Sequence, residues 1–174
     1  MRRLILLRHA KSDRPAGVAD HERPLNDRGR RAAPAVGAHL AEAGFRPDLA
    51  LVSTATRTRE TWEAVAAALG APEARFHREI YEAPAERILG VIRGAPDAAE
   101  TVIVVGHNPG LGDLAATLAG EGARKELARL ATEFPTAAYA VIAFDAASWS
   151  TVVPGQGRLE RFVRPRDIDP ELGG

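Results

Sequence analysis

The sequence predicts an α/β fold in which a mainly parallel sheet lies between layers of helices. Two patterns point to it. Short apolar runs, suited to strands covered on both faces, alternate with longer stretches whose apolar residues recur at three- and four-residue steps. That alternation marks strand–helix–strand units. Near the C-terminus it gives way to closely spaced strand-like runs, which read as a meander closing one edge of the sheet. The length of 174 residues suits one domain, expected over residues 1–164 with a loose tail at 165–174.

Leu4 to Leu7 is the first strand, an unbroken apolar run. Residues 10–26 are polar, contain Pro15, Gly17 and Pro24, and form a long loop; loops of that length inside compact domains are usually functional. Asn26 suits an N-cap, and a helix follows to about Ala43, stopped by Gly44. Its inner face is Ala33, Val36, Leu40 and Ala43. Pro34 removes one helical N–H there, so it either kinks the helix or marks a later start. Leu49 to Val52 is a second strand, Ser53 to Thr56 a polar turn, and Arg57 opens a helix with Trp62, Val65, Ala66 and Leu69 inward and Gly70 beyond it. Residues 73–82 carry no clear period, with Arg75 to Arg78 readable as a short strand. Pro84 sits at the first turn of a third helix that buries Ile88, Leu89 and Ile92 and ends at Gly94 and Pro96. Thr101 to Val105, mostly β-branched, is the clearest strand. A helix with Leu111, Leu114 and Leu118 inward follows, then another over about Arg124 to Ala131. Ala138 to Phe144, Trp149 to Val153 and Arg158 to Val163 make up the meander.

Composition excludes several functions. There is no cysteine, hence no disulfide, thiolate metal site or thiol nucleophile, which suits a reducing compartment. The 23 basic residues balance 23 acidic ones, so bulk charge gives no support for nucleic-acid or membrane-surface binding. The longest apolar runs fall far short of the roughly 20 residues that span a bilayer. Arg8, His9 and Lys11 interrupt the first apolar run before it reaches the length of a signal-peptide core, so no targeting segment is read and the expected location is the cytoplasm.

In open α/β sheets, ligands bind outside the carboxyl ends of the strands. The first strand ends in Arg8 and His9, the second in Ser53 through Arg57, and the strand at 101–105 in Gly106, His107 and Asn108. Two guanidiniums facing one point repel unless an anion lies between them. Phosphate fits, because its oxygens match the planar fork of arginine donors. Arg57 lies at a helix start, the unfavourable end for a cation, which again favours an anionic partner. A neutral imidazole can attack phosphorus, splitting one hard displacement into two easier ones. The arginines and the second histidine would then stabilise the transferring group without a metal. Zinc held by His9, His107 and a third ligand such as His21 is disfavoured, since the two arginines would repel the cation.

Leu7-Arg8-His9-Ala10, Ser53-Thr-Ala-Thr-Arg57-Thr-Arg-Glu60-Thr61 and Val105-Gly106-His107-Asn108 resemble the histidine phosphatase superfamily, the phosphoglycerate-mutase-like group. With Arg23-Pro24-Leu25-Asn26 and the short chain, the resemblance is strongest to its SixA-type phosphohistidine phosphatase branch, and it spans at least residues 3–115. The resemblance implies a three-layer α/β/α sandwich, its mainly parallel sheet carrying an antiparallel edge strand. It implies His9 as the nucleophile that becomes phosphorylated, and Arg8, Arg57 and His107 as the phosphoryl-binding groups. No cofactor is implied. The substrate would be phosphohistidine on a protein, or, with the same mechanism, a small phosphorylated metabolite. The remaining alternative is a non-catalytic phosphoryl-binding or scaffold protein.

Two departures stand out. Ala10 replaces the usual glycine after the histidine, as SixA-like members tolerate. The carboxylate that many members use as general acid is matched only loosely, by Glu82 in Tyr81-Glu82-Ala83-Pro84. An imidazole leaves with less protonic help than an alkoxide, so a weak acid fits a phosphohistidine substrate. Glu60 reads as a first-turn helix charge. Arg23, Arg28, Arg30 and Arg31 read as a solvated face that could also steer phosphorylated partners, and His21, His39 and His77 as structural or surface residues.

Overall fold

Seven strands and six helices alternate along the chain in a computed structural model that describes residues 1–173. In order they are β1 (Arg2–Arg8), α1 (Asp27–Glu42), β2 (Leu49–Ser53), α2 (Thr56–Ala68), β3 (Glu73–His77), α3 (Ala85–Arg93), β4 (Thr101–Gly106), α4 (Gly110–Leu118), β5 (Ala119–Gly122), α5 (Arg124–Thr132), β6 (Tyr139–Phe144), β7 (Gly157–Val163) and α6 (Pro165–Ile168). The sheet order is β3-β2-β4-β1-β6-β7-β5.

The two faces of the sheet follow from strand alternation. Leu4, Leu6, Val102 and Val104 point to one side, where they pack with Ile88 and Ile92 of α3 and Leu111 and Leu114 of α4. Ile5, Leu7, Ile103 and Val105 point to the other, against Val36 and Leu40 of α1 and Trp62 and Val65 of α2. The result is the expected three-layer α/β/α sandwich. α1 begins at Asn26, whose side chain accepts from the Gly29 N–H, and runs unbroken through Pro34.

Three expectations are corrected. The one antiparallel strand is β6, and it lies inside the sheet, between β1 and β7, rather than at an edge. The edge belongs to β5, which pairs parallel with β7. Its sequence, Ala-Gly-Glu-Gly, carries no strand signal. Trp149 to Val153 forms no strand. Ser148 caps a 3-10 turn over Trp149–Thr151, and the buried Trp149 indole donates to the Ala99 carbonyl at 2.6 Å. Residues 165–173 are not a loose tail: α6 and a 3-10 turn at Pro170–Leu172 follow β7, and Ile168 and Leu172 pack on the α1 side of the sheet. No helix among the described residues is long and apolar enough to cross a membrane.

Topology makes the crevice. β1 and β4 are parallel neighbours, yet the helices that follow them, α1 and α4, pack on opposite faces. The two chains therefore diverge at the carboxyl ends of these strands, which is where such sheets bind ligands.

Candidate active site

Register sets the heights of the key groups. Arg8 pairs with Gly106 across β1 and β4, and Val52 pairs with Val105 across β2 and β4. His9 and His107 are each one residue further, and Ser53 ends β2 beside them. The two imidazole centroids are 5.3 Å apart. Both rings share a cavity of about 570 Å³ with Arg8, Arg57, Glu82 and the loop residues Asp20 and Arg23. All five residues expected at the site thus meet in one place.

Each ring is oriented by its neighbours. His9 Nδ1 donates to the Ala10 carbonyl at 2.7 Å, since a carbonyl can only accept. The Nε2 atom is then unprotonated, with its lone pair available. The Ala10 N–H donates to Thr61 Oγ1 at 2.9 Å, and the Thr61 hydroxyl donates to the Arg57 carbonyl at 2.7 Å. This chain of bonds fixes the exit of β1 against α2. The loop is pinned in the same way, because Glu60 accepts from the Leu25 N–H at 2.8 Å; Glu60 is an anchor, not a catalyst.

His107 Nε2 lies 2.7 Å from the buried hydroxyl of Ser53. Ser53 Oγ already accepts from the Ala55 N–H at 3.3 Å, and its own proton has one acceptor within reach, His107 Nε2. The hydroxyl therefore donates, and His107 carries its proton on Nδ1. That Nδ1 is buried and has no partner among the described residues. A buried donor of this kind is costly unless something accepts from it.

Burial holds both rings neutral. The His9 pKa is pushed down to about 3, mainly by desolvation, with the charges of Arg57, Arg8 and Arg23 adding to it against the Ala10 hydrogen bond. His107 is pushed down to about 3 by desolvation, then by His9 and Arg57. The sign for stability follows. Unfolded imidazoles take up protons as pH falls below about 6.5 while the folded ones refuse them. Stability should therefore decline as pH drops from about 6.5 toward 3, by up to about 1.4 kcal/mol per pH unit for each ring. Urea midpoints at pH 7 and pH 5 measure this. His107→Asn should show a flatter dependence than wild type, and equal slopes would contradict the assignment.

Arg57 is 2 % exposed. Its Nη1 donates to the Asp20 carbonyl at 2.8 Å, while Nη2 meets Asp20 Oδ2 at 3.2 Å and Glu82 Oε1 at 3.0 Å. The anion expected beside this helix-start cation is thus supplied, within the chain, by two carboxylates. Arg8 donates from Nη1 to the Phe134 carbonyl at 3.0 Å, and burial followed by the Arg57 charge lowers its pKa. Glu82 has a φ of 52°, a left-handed backbone rare for this residue type and a strain that tends to collect at functional sites. The turn is held from α4: a Cβ on Gly110 would overlap the Ala83 carbonyl oxygen.

Asp20 carries no motif, and Tyr81 enters the sequence reading only as the neighbour of Glu82; the structure brings both to the site. The Tyr81 hydroxyl donates to Asp20 Oδ2 and is the largest influence holding that carboxyl well below its usual range, with Arg23 and Arg57 behind it. These partners favour the ionised form of Asp20. Arg23 is buried rather than solvated. It grips Ser12 Oγ at 2.6 Å, the Asp13 carbonyl at 3.0 Å and Asp20 Oδ1 at 2.7 Å, so it organises the loop from within. His21 contacts Thr54 at 2.8 Å and packs T-shaped on Tyr81, and it does not line the cavity. No group of three or more acidic or histidine side chains able to hold a metal ion occurs among the described residues.

Comparison with known proteins places the fold. Residues 4–83 match the model of the histidine phosphatase superfamily (branch 1). An uncharacterised protein of Mycobacterium tuberculosis is 39% identical over 162 residues, covering 92% of this chain and all of that one. The structure of a candidate phosphohistidine phosphatase SixA from Nakamurella multipartitia superposes with a TM-score of 0.79 at 30% identity, covering 94% of this chain and 96% of that one. One from Agrobacterium tumefaciens gives 0.78 at 32%, covering 94% and 98%.

Proposed function

The chain belongs to the histidine phosphatase superfamily, and we propose that it removes the phosphoryl group from phosphohistidine on a protein by way of a phosphorylated His9. That it is a phosphatase follows from the family and its SixA-like structural neighbours. The observation that carries the mechanism is the His9 bond to Ala10, which leaves Nε2 as the attacking atom amid two guanidiniums and a second ring.

In the first step, His9 Nε2 forms a bond to phosphorus as the bond to the substrate nitrogen breaks. The departing imidazole keeps that electron pair and is protonated from solvent or from Glu82. In the second step, water attacks phosphorus, the His9 Nε2–phosphorus bond breaks, and phosphate leaves with His9 neutral again. Arg8, Arg57 and the Nδ1–H of His107 hold the three non-bridging oxygens throughout. Glu82, half-exposed and paired with Arg57, lines the same cavity. Residues 1–173 are taken as one catalytic unit around a single sheet.

Ser53 acts only through His107. Ser53→Ala should lower kcat/KM about tenfold, the scale of losing a neutral hydrogen bond that fixes a catalytic group. Ser53→Thr, which keeps the hydroxyl, should recover most of it, and ring-nitrogen NMR should show His107 losing its single tautomer in the alanine variant.

The functional test is a parallel assay on a histidine-phosphorylated phosphotransfer domain, a panel of phosphorylated metabolites and p-nitrophenyl phosphate, with and without EDTA. The phosphodomain should give the highest kcat/KM, and EDTA should leave it unchanged. A metabolite turned over more than ten times as efficiently would move the substrate to the small-molecule class. Binding of phosphate without turnover of any substrate would make the chain a phosphoryl binder. Activity lost to EDTA and restored by zinc would revive the metal reading.

A further inference from the structure

A second cavity, of about 240 Å³, opens beside the catalytic one and shares Arg8, Lys11 and Thr136 with it. Lys11, Arg28, Arg164 and Arg166 surround it, and no acidic side chain lines it. Arg164 is spoken for: it is paired with Asp167 and Glu133, both at 2.9 Å. Lys11, Arg28 and Arg166 form no ion pair among the described residues. The chain as a whole has no net charge, so this cluster is a local segregation of cations that repel one another. Between them lie apolar surfaces, including Leu172 from the C-terminal turn. The segment after β7 thus builds one wall of the cleft.

We propose that this cleft receives carboxylate side chains of the phosphoprotein substrate that lie next to its phosphohistidine. The inference rests on the phosphohistidine reading above and names the surface that selects the protein. Arg28 and Arg166 line this cleft and not the catalytic cavity, so a phosphoryl group held among Arg8, Arg57 and His107 leaves these two cations without an anion. A second phosphate of a metabolite would engage the cations and leave the apolar floor bare. A protein surface carrying carboxylates among apolar side chains covers both.

The test uses the full chain with Arg28→Glu and Arg166→Glu combined; neither residue lines the catalytic cavity. Substrates are an acidic phosphotransfer domain phosphorylated on histidine, phosphoramidate, p-nitrophenyl phosphate and a bisphosphorylated metabolite. The variant should lose at least about tenfold in kcat/KM on the phosphodomain, chiefly through KM, because charge reversal at a steering surface slows encounter. Phosphoramidate and p-nitrophenyl phosphate should be turned over as by wild type, which also shows that the variant is folded. Raising the salt to about 0.5 M should shrink the difference. Unchanged kcat/KM on the phosphodomain overturns the proposal, as does an equal loss on all substrates or a loss confined to the bisphosphate. If wild type itself hydrolyses p-nitrophenyl phosphate but not the phosphodomain, the substrate reading has failed first, and this inference falls with it.

Discussion

His9→Ala should abolish turnover of phosphoprotein and p-nitrophenyl phosphate alike, by about four to six orders of magnitude, the scale of removing a covalent nucleophile. The same variant should give no acid-labile, alkali-stable radiolabel when mixed briefly with labelled substrate and quenched in base, whereas wild type should. The size of the expected loss separates two roles for this residue. A ring that merely bound phosphate would cost about two to three orders, as loss of one oxyanion donor does. His9→Asn sharpens the test, because the Asn amide can still donate to the Ala10 carbonyl that now accepts from Nδ1 at 2.7 Å. It keeps the local backbone bond while deleting Nε2. Both variants should be inactive and folded. Full turnover in His9→Ala, or label trapped in either variant, would remove His9 from the attacking role.

The neutrality of His9 adds a condition. With its pKa pushed down to about 3, chiefly by burial, the ring is ready to attack throughout the physiological range. Any acid limb of kcat/KM between pH 5 and 7 should therefore come from the substrate phosphoryl group, and it should move when the substrate changes.

The sequence exposes the parts of this protein whose causes are local. β1 and β4 are unbroken apolar runs, and α1 carries its own cap in Asn26, so these elements are legible without knowing their neighbours. His9, Arg57 and His107 are legible because each directly follows a strand or opens the helix after one, and parallel strands bring such positions to one edge. What is illegible depends on pairing or packing from afar. β5 has two glycines in four residues and becomes a strand because β7 is there to pair with it. Trp149 to Val153 has the composition of a strand, but burial of Trp149 and its bond to Ala99 override that preference. The C-terminal segment looks polar, and only Ile168 and Leu172, four residues apart, hint that it docks. Asp20 reaches Arg57 through a loop whose course is set by Arg23 and Glu60, and no spacing rule encodes that path. The signal for Ser53 was within reach, since it occupies a strand exit beside the one that carries His107.

Arg57→Met should cost about three orders of magnitude in kcat/KM, and the reason is more than one missing donor. Arg57 is 2 % exposed, and its guanidinium holds two carboxylates, Asp20 at 3.2 Å and Glu82 at 3.0 Å. Removing it leaves those two negative charges lining a cavity that must admit a phosphoryl dianion. Loss of a single oxyanion donor accounts for about 10² to 10³, and the uncompensated carboxylates add to that. A triple variant with Asp20→Asn and Glu82→Gln should therefore recover part of the loss, about tenfold, since residues sharing one network are not additive. The same logic gives an opposite sign for Asp20→Asn alone. In the proposed site that carboxylate would compete with phosphate for Arg57 Nη2, so removing its charge should tighten binding of inorganic phosphate, read as a lower inhibition constant. Tyr81→Phe should act in the same direction but more weakly, because it loosens Asp20 without removing the charge. If Arg57→Met keeps kcat/KM within about threefold of wild type, or the triple variant is no better than the single one, Arg57 binds the loop and not the phosphoryl group.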